Sequence, residues 1–550
     1  MDRRSVLAVV LSIAVILIFQ MFFLPKREPQ PPMAGRDSAG VSAPMATGGS
    51  SQQTLSEPGS TPYQSPSGLG PAFETAETEE REIRVQTDLY EAVFTNLGAR
   101  LLSWRLKPYA DPVGQWVQLV PPSEGQLGLT VQTDQGPVDL RRTLFSARQE
   151  SRSDGGKRIR FEARSGSATV TKVFELPPTG YLIDAQVQIE GLTDAESYRI
   201  GWTGGIPRAE RNEKAYHTAL AAMVLKGKNK ENVHPGSFKN QSEKLVEGNI
   251  RWAGVRNKYF MAVIIPPESS SNRVVVTGSN EPKRVGAEIV MPVSGGDARH
   301  LFRVYLGPMD YEMLKAQGYS LESAVDLGFK IFRPVAQLLQ TVMFWMYRYI
   351  PNYGVVIIIV SVLTKVIFYP LTRSSLKSMR AMQRLQPEMT ALREKYKKDN
   401  ARLQQEMMGL YKKHGVNPVG GCLPIFLQMP VFIALYQVLA NSIAMRSAPF
   451  FGWMHDLSSP DTIATLGGFD IHVLPIILFG FTVLQQVWTP VGDPRQKMIG
   501  YMMPLVTLFI FYGFPAGLNL YWTINSVVTV AQQWVIHRED PATHPLPVKA

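Results

Sequence analysis

A polytopic α-helical membrane protein of six spans with an inserted all-β domain is the fold class predicted for this 550-residue chain. Three observations predict it. The chain opens on an apolar run. Residues 81–326 alternate apolar and polar side chains with period two, and residues 351–537 hold five more apolar segments. One of those segments, Gly354–Thr372, carries a lone cation, Lys365. A charge at a bilayer centre costs about 2.5–3.5 kcal/mol on insertion scales, so it marks a hydrated cavity or a partner by default. The plainer alternative is that Lys365 snorkels toward the end of its helix.

Composition narrows the function classes. The formal net charge is +11 at pH 7, which suits nucleic acid or an anionic membrane surface. The apolar segments favour the membrane over DNA. The single cysteine, Cys422, excludes an intramolecular disulfide. Without a CxxC pair, an HExxH or a GxxxxGK[ST] run, metal-dependent hydrolysis and nucleotide hydrolysis lack sequence support, and no cofactor is expected.

Residues 1–25 read as an uncleaved anchor. Ser5 to Leu24 is long enough to cross a bilayer, Arg3 and Arg4 precede it, and Phe22-Phe23-Leu24-Pro25 offers no small-residue cleavage site for a signal peptide. Residues 26–80, rich in Pro, Ser, Gly, Gln and Thr, cannot bury enough apolar surface to fold and form a tether. Residues 81–326 form an antiparallel β-sandwich. In Tyr181–Ile189, Ile183, Ala185, Val187 and Ile189 share one face; Ala168–Leu176, Asn272–Thr277 and His300–Leu306 are further strands. Residues 327–350 form an interfacial amphipathic helix with Ile331, Val335, Leu338, Val342, Met346 and Ile350 on its stripe.

Five spans follow, within Gly354–Thr372, Val419–Leu439, Ile471–Trp488, Met498–Phe511 and Leu518–Ile536. Between the first two lies a charged helical hairpin, residues 373–416. Met382, Leu385, Met389, Leu392 and Tyr396, then Leu403, Met407 and Leu410, form its seam; Asp399-Asn400 supplies the turn, and Pro387 should kink the first helix. The hairpin is basic, with Arg380, Arg384, Lys395, Lys397, Lys398, Lys412 and Lys413 prominent, whereas the loop Ala440–Asp470 has one strong base, Arg446. The positive-inside rule puts the hairpin and both termini, including the tail 538–550, in the cytoplasm and the sandwich outside.

The last span carries a polar stripe: Asn519, Thr523, Ser526, Val530 and Gln533 near one face, with Asn525, Thr529 and Gln532 beside them. Gln428 and Gln485-Gln486 add amides in other spans. Such groups often simply bond neighbouring helices. A whole stripe needs water or a polar wall to face, and with Lys365 it predicts a hydrated groove.

Asn417-Pro-Val-Gly-Gly-Cys-Leu-Pro-Ile-Phe-Leu-Gln-Met-Pro-Val-Phe-Ile-Ala-Leu-Tyr436 closely resembles the signature of the YidC membrane protein insertases. Tyr369-Pro-Leu-Thr372, Leu385-Gln-Pro387, Gln405-Glu-Met-Met408 and Phe514-Pro-Ala-Gly-Leu518 follow in the matching order. Arg251-Trp-Ala-Gly-Val-Arg-Asn-Lys-Tyr-Phe260 and Gly307-Pro-Met-Asp-Tyr311 resemble the periplasmic domain of the Gram-negative members. The resemblance implies a periplasmic sandwich, an inner-membrane location, a five-span core and a groove with one positive residue. That residue is usually Arg and is Lys365 here, with Ser361 one turn earlier and Trp522 where a substrate-contacting Tyr is usual. With Gln428, Asn519, Thr523 and Ser526 these are the expected groove residues. Implied partners are nascent membrane proteins, the lipid bilayer and, through the basic hairpin, the ribosome, with targeting factors and the Sec translocon as further candidates.

Three rival classes stand beside the insertase. A small-solute transporter with an extracellular ligand-binding sandwich predicts paired ionisable residues at mid-membrane and inverted repeats, neither of which is visible. A passive scaffold gives no reason to bury Lys365. An enzymatic sandwich rests on fold analogy alone, with no acid–base pair to name.

Overall fold

The computed structural model describes residues 77–121, 125–239, 242–267, 273–326, 328, 331–417, 423–487 and 494–539. The anchor 1–25 lies outside them, as do the tether up to residue 76 and the tail after residue 539. The described chain falls into two compact units: Leu385–Val416, and residues 77–384 together with Asn417 onward.

The β domain holds three antiparallel sheets rather than a single sandwich of two. A nine-stranded sheet runs from Asn229–Val233 at one edge, through Ile250–Arg256, Phe260–Ile265, Ala298–Pro308, Leu182–Glu190 and Ala168–Leu176, to Ser146–Ser151 at the other. A six-stranded sheet runs from Glu243–Glu247 to Gly136–Asp139, and a four-stranded sheet spans Glu82–Gln86 to Trp116–Gln118. Ile183, Ala185, Val187 and Ile189 do share the buried face of their strand. Other strands are covered on both sides: Tyr90–Thr95 and Phe260–Ile265 are buried at every position, so period two cannot appear in them. Trp104, Trp202, Trp252, Tyr198 and Phe161 fill the common core.

A buried cation ties the three sheets together. Lys172, on Ala168–Leu176 of the nine-stranded sheet, donates to the carbonyls of Ala99 and Leu127 at 2.5 Å each. Ala99 precedes the strand Arg100–Ala110 of the four-stranded sheet, and Leu127 precedes Leu129–Thr133 of the six-stranded one. Both acceptors belong to non-glycine residues in the left-handed region, with φ of 48° and 62°. The ammonium thus holds two strained turns in place. Burial pushes it down to about 7.

The described helices are α1 (Glu213–Ala219), α2 (Tyr311–Gln317), α3 (Arg333–Tyr347), α4 (Tyr353–Ile367), α5 (Tyr369–Arg384), α6 (Gln386–Lys395), α7 (Asn400–Lys413), α8 (Leu423–Asn441), α9 (Val473–Val487), α10 (Pro494–Phe511) and α11 (Ala516–Glu539). Helix α3 exposes Leu338 and Trp345 and buries Ala336, Gln340 and Met343, and Ile331, in the turn before it, is exposed. Gln340, a polar residue outside the apolar stripe named from the sequence, is therefore a packing residue.

Two corrections concern continuity. The segment Gly354–Thr372 is not one helix: α4 ends at Ile367, Phe368 leaves helical geometry, and α5 departs at 61°. Pro370 explains the break, because it has no N–H to donate to the carbonyl four residues back. Among the described residues no single helix is long and apolar enough to cross a membrane; only α4 with the first part of α5 meets that test, as a bent pair. Shorter apolar helices lie within α8, α9 and α10. Ile471 belongs to a strand, Phe469–His472, rather than to the helix that follows it.

In the unit Leu385–Val416, Pro387 sits in the first turn of α6 rather than inside a continuous helix. Met389 and Tyr411 are buried, with the Tyr411 hydroxyl 3.6 Å from the Met389 sulfur. Asp399 caps α7 by accepting from the Arg402 amide at 3.0 Å. Lys395, Lys397, Lys398, Lys412 and Lys413 are all exposed. Arg380 and Arg384 lie on α5, outside this unit.

Candidate functional site

Helix α4 is amphipathic in the sense opposite to a soluble protein. Ser361, Thr364 and Lys365 are buried, while Val362, Leu363, Val366 and Ile367 are exposed. The pattern recurs: α10 exposes Met502, Met503, Leu505, Val506 and Phe509, and α9 exposes Ile476, Ile477, Leu484 and Val487. A large apolar exterior around buried polar groups is what an apolar solvent selects.

The buried polar groups gather on α11. Lys365 is 9% exposed, and its Nζ donates to Thr529 Oγ1 at 3.0 Å. The Thr529 hydroxyl in turn donates to the Asn525 carbonyl at 2.7 Å. Gln428 of α8 reaches Asn525 Oδ1 at 3.4 Å, Gln485 of α9 donates to the Ser526 carbonyl at 3.1 Å, and Arg380 of α5 reaches the Gln533 carbonyl at 3.5 Å. One seam along α11 therefore receives polar side chains from four other helices. Buried atoms along it have no protein partner among the described residues: Thr523 Oγ1, Trp522 Nε1, Gln532 Oε1 and Gln533 Oε1.

The expected groove residues do not all converge on Lys365. The Ser361 hydroxyl bonds back to the Ile357 carbonyl at 2.7 Å, and Thr364, unnoticed in the sequence, does the same to Val360. Asn519 lies about 15 Å of helix rise from Thr529 and caps the preceding turn through the Phe511 and Phe514 carbonyls, at 3.1 and 3.2 Å. The Trp522 ring meets Phe432 and Phe511 edge-on, with centroids 5.2 and 5.4 Å apart. Thr529, the actual partner of the cation, stood in the adjacent row of the stripe; spacing along one helix carries no information on which row faces α4. The ammonium itself is buried. Among the described residues no group of three or more His, Cys, Asp or Glu could hold a metal ion.

At the opposite end of the helices a second polar cluster fastens the β domain. Arg446, in the loop between α8 and α9, pairs with Glu210 at 2.6 Å and donates to the Ala110 and Ala209 carbonyls at 2.6 and 3.0 Å. The Tyr259 hydroxyl reaches the Ala440 carbonyl at 3.3 Å. The turn before α11 joins the same loop, since the Ala516 and Gly517 amides donate to Ser459 and Leu457 at 2.7 and 2.9 Å. The β domain, the α8–α9 loop and the α10–α11 turn therefore share one side of the helices. Arg446 entered the sequence reading only as a lone base in a topology count.

The family profile described as 60Kd inner membrane protein matches residues 345–543, and that of the YidC periplasmic domain matches residues 82–346. A membrane protein insertase YidC from Syntrophus aciditrophicus (strain SB) is 34% identical over 98% of this chain and 100% of its own length. Its counterpart from Geotalea daltonii (strain DSM 22248 / JCM 15807 / FRC-32) is 35% identical, again over 98% of this chain and 100% of its own. An active YidC insertase crystallised with its first transmembrane domain resolved is 19% identical over 84% of this chain and 93% of that one, with a TM-score of 0.36. On profiles that together run from residue 82 to residue 543 and relatives aligned end to end, the chain belongs to the YidC membrane protein insertases, inner-membrane proteins with a periplasmic domain.

Proposed function

We propose that this insertase works through the Lys365–Thr529 seam. The observation that carries the reading is a buried ammonium with one hydrogen-bond partner among the described residues, inside a helix whose other face is apolar and exposed. An ammonium has three donors. The unused ones attract an acceptor-rich or acidic outer segment of a nascent membrane protein. That segment enters between α4, α8 and α11 from the cytoplasmic side, and the client's apolar helix slides along the exposed faces of α4 and α8 into lipid. Each Leu or Ile placed at mid-bilayer contributes about −0.3 to −0.6 kcal/mol, so no nucleotide is required. The seam lowers the barrier for the polar end, whose bare exposure to lipid costs several kcal/mol per group.

In this reading the basic segment 373–416 lies in the cytoplasm and receives the ribosome or a targeting factor, with Lys395, Lys397, Lys398, Lys412 and Lys413 as the contact set. Arg380 and Arg384 act from α5, beside the seam. Six spans, with the first in residues 1–25, put both termini inside, and the Sec translocon is a candidate neighbour for larger clients. Ser361, Gln428, Asn519, Trp522, Thr523 and Ser526 line the route. The sandwich is not catalytic.

Lys365→Ala is expected to slow insertion of clients with acidic outer segments, while Lys365→Arg keeps it. Pulse-chase labelling with protease protection reads this directly. Equal insertion by the Ala variant and the parent protein would overturn the role given to the cation.

A further inference from the structure

The α8–α9 loop ends in a two-stranded hairpin, Thr462–Leu466 and Phe469–His472, turned by Gly467 and Gly468 with φ of 57° and 82°. Its two faces differ. Thr465 pairs with Asp470 across the strands, and their side chains bond at 2.6 Å on one face. Ala464 with Ile471 and Leu466 with Phe469 fall on the other face by strand alternation. Leu466 is 66% exposed and Phe469 63%, and Ile463, at the irregularity in the register, is more than half exposed.

An isolated two-stranded hairpin is marginal in water, and one exposing this much apolar surface needs a cover. Its position names the cover. His472 leads directly into α9, whose Ile476 and Ile477 are exposed. Tyr512, just past α10, stacks on Phe469 with centroids 5.5 Å apart and donates to the Asp470 carbonyl at 2.6 Å. The hairpin is thus pinned to the outer ends of the two helices whose exposed apolar sides form the lipid band. Residues 459–472 contain no Lys or Arg, so nothing there is built for an anionic partner.

We propose that this hairpin lies in the interface of the outer, periplasmic-side leaflet, with Leu466 and Phe469 seated among the upper acyl chains and Thr465 and Asp470 toward water. It anchors the membrane-proximal loop that holds the β domain through Arg446. The proposal rests on α9 and α10 lying in lipid, and the test separates the two.

The full-length protein, with Cys422 replaced by Ser, carries a single cysteine at Leu466, Thr465 or Phe509, labelled with an environment-sensitive fluorophore. It is reconstituted into vesicles of phosphatidylethanolamine and phosphatidylglycerol containing lipids with a nitroxide near the headgroup or at the acyl terminus. The label at Leu466 is expected to shift to the blue and to lose emission to the shallow nitroxide more than to the deep one. The label at Thr465 keeps an aqueous spectrum, and that at Phe509 is quenched. Quenching at Phe509 with an aqueous, unquenched Leu466 overturns the hairpin's lipid contact alone. An unquenched Phe509 overturns the membrane placement of α10 and the hairpin's with it. Shielding of Leu466 that appears only on adding a client chain, or only at high protein-to-lipid ratio, assigns the face to that partner and refutes the proposal.

Discussion

Arg446→Ala should release the β domain from the membrane-proximal loop. The Arg446 side chain is 5% exposed and that of Glu210 16%, so the pair is largely removed from water. Deleting the guanidinium strands a buried carboxylate and orphans the Ala110 and Ala209 carbonyls. Breaking a buried pair from one side costs about 3–5 kcal/mol. Glu210→Gln keeps an acceptor for Arg446 and should cost about 1 kcal/mol, the difference between a charged and a neutral hydrogen bond. The double variant should then be less damaged than the two single effects summed, because the stranded charge is gone. Hydrogen exchange on the full-length protein in detergent reads the local opening. Amides of residues 440–457 should exchange roughly 10²- to 10⁴-fold faster in Arg446→Ala, at 1.36 kcal/mol per factor of ten. The effect should depend on pH. Burial raises the Glu210 pKa and Arg446 pulls it back, so removing Arg446 raises it further. A raised carboxyl pKa means the docked form binds more protons than the open form, and docking strengthens as pH falls through that window. The acceleration should therefore shrink on acidification. A change below about tenfold at neutral pH, or an acceleration that grows in acid, would refute the claim that this pair holds the two parts together.

Two further substitutions test the packing. Because Lys172 is depressed to about 7 from its ordinary 10.5, the unfolded chain binds the extra proton between those values and stability rises with pH across them; Lys172→Met should abolish this slope, at most about 1.4 kcal/mol per pH unit, in unfolding of the β domain followed by tryptophan fluorescence. Gly354→Ala would place a Cβ 2.1 Å from the Phe450 ring at the outer end of α4, costing about 1–3 kcal/mol, and Phe450→Ala in the same chain should restore thermal stability.

What could be read from the sequence was whatever repeats along a single element. Tyr181–Ile189 announced its buried face because only one side of that strand is packed, and the hairpin seam announced itself by its spacing, with Met389 buried and Leu392, Leu403 and Met407 half-buried. What could not be read depends on pairing between distant elements. The third sheet is built around Tyr90–Thr95, a strand buried on both faces. The cation's partner sits 164 positions away, and Thr529 looked no different from Thr523 until α4 was laid beside α11. Lys172 was an inward-facing lysine in an otherwise ordinary strand, and its two acceptors come from turns in other sheets. The break at Phe368 was available in principle, since Pro370 forbids the continuing hydrogen bond, but the apolar run across it reads as one span by hydropathy.

The direction of the hydrogen bonds in the seam argues for how it is used. The Thr529 hydroxyl spends its proton on the Asn525 carbonyl, leaving only lone pairs toward Lys365. Gln428 donates its amide to Asn525 Oδ1 as well. Ser361 and Thr364, the nearest hydroxyls on its own helix, are turned back onto the Ile357 and Val360 carbonyls. The resting ammonium is thus bonded to Thr529 Oγ1 and has donors to spare. An arginine there would need several acceptors in one plane, whereas an ammonium holds with one and keeps the rest of its hydrogen-bonding capacity unspent. In the mechanism proposed above, a passing carbonyl or carboxylate gains by docking at this point and an apolar helix gains nothing from it, which leaves the apolar helix to partition into lipid along the exposed face of α4.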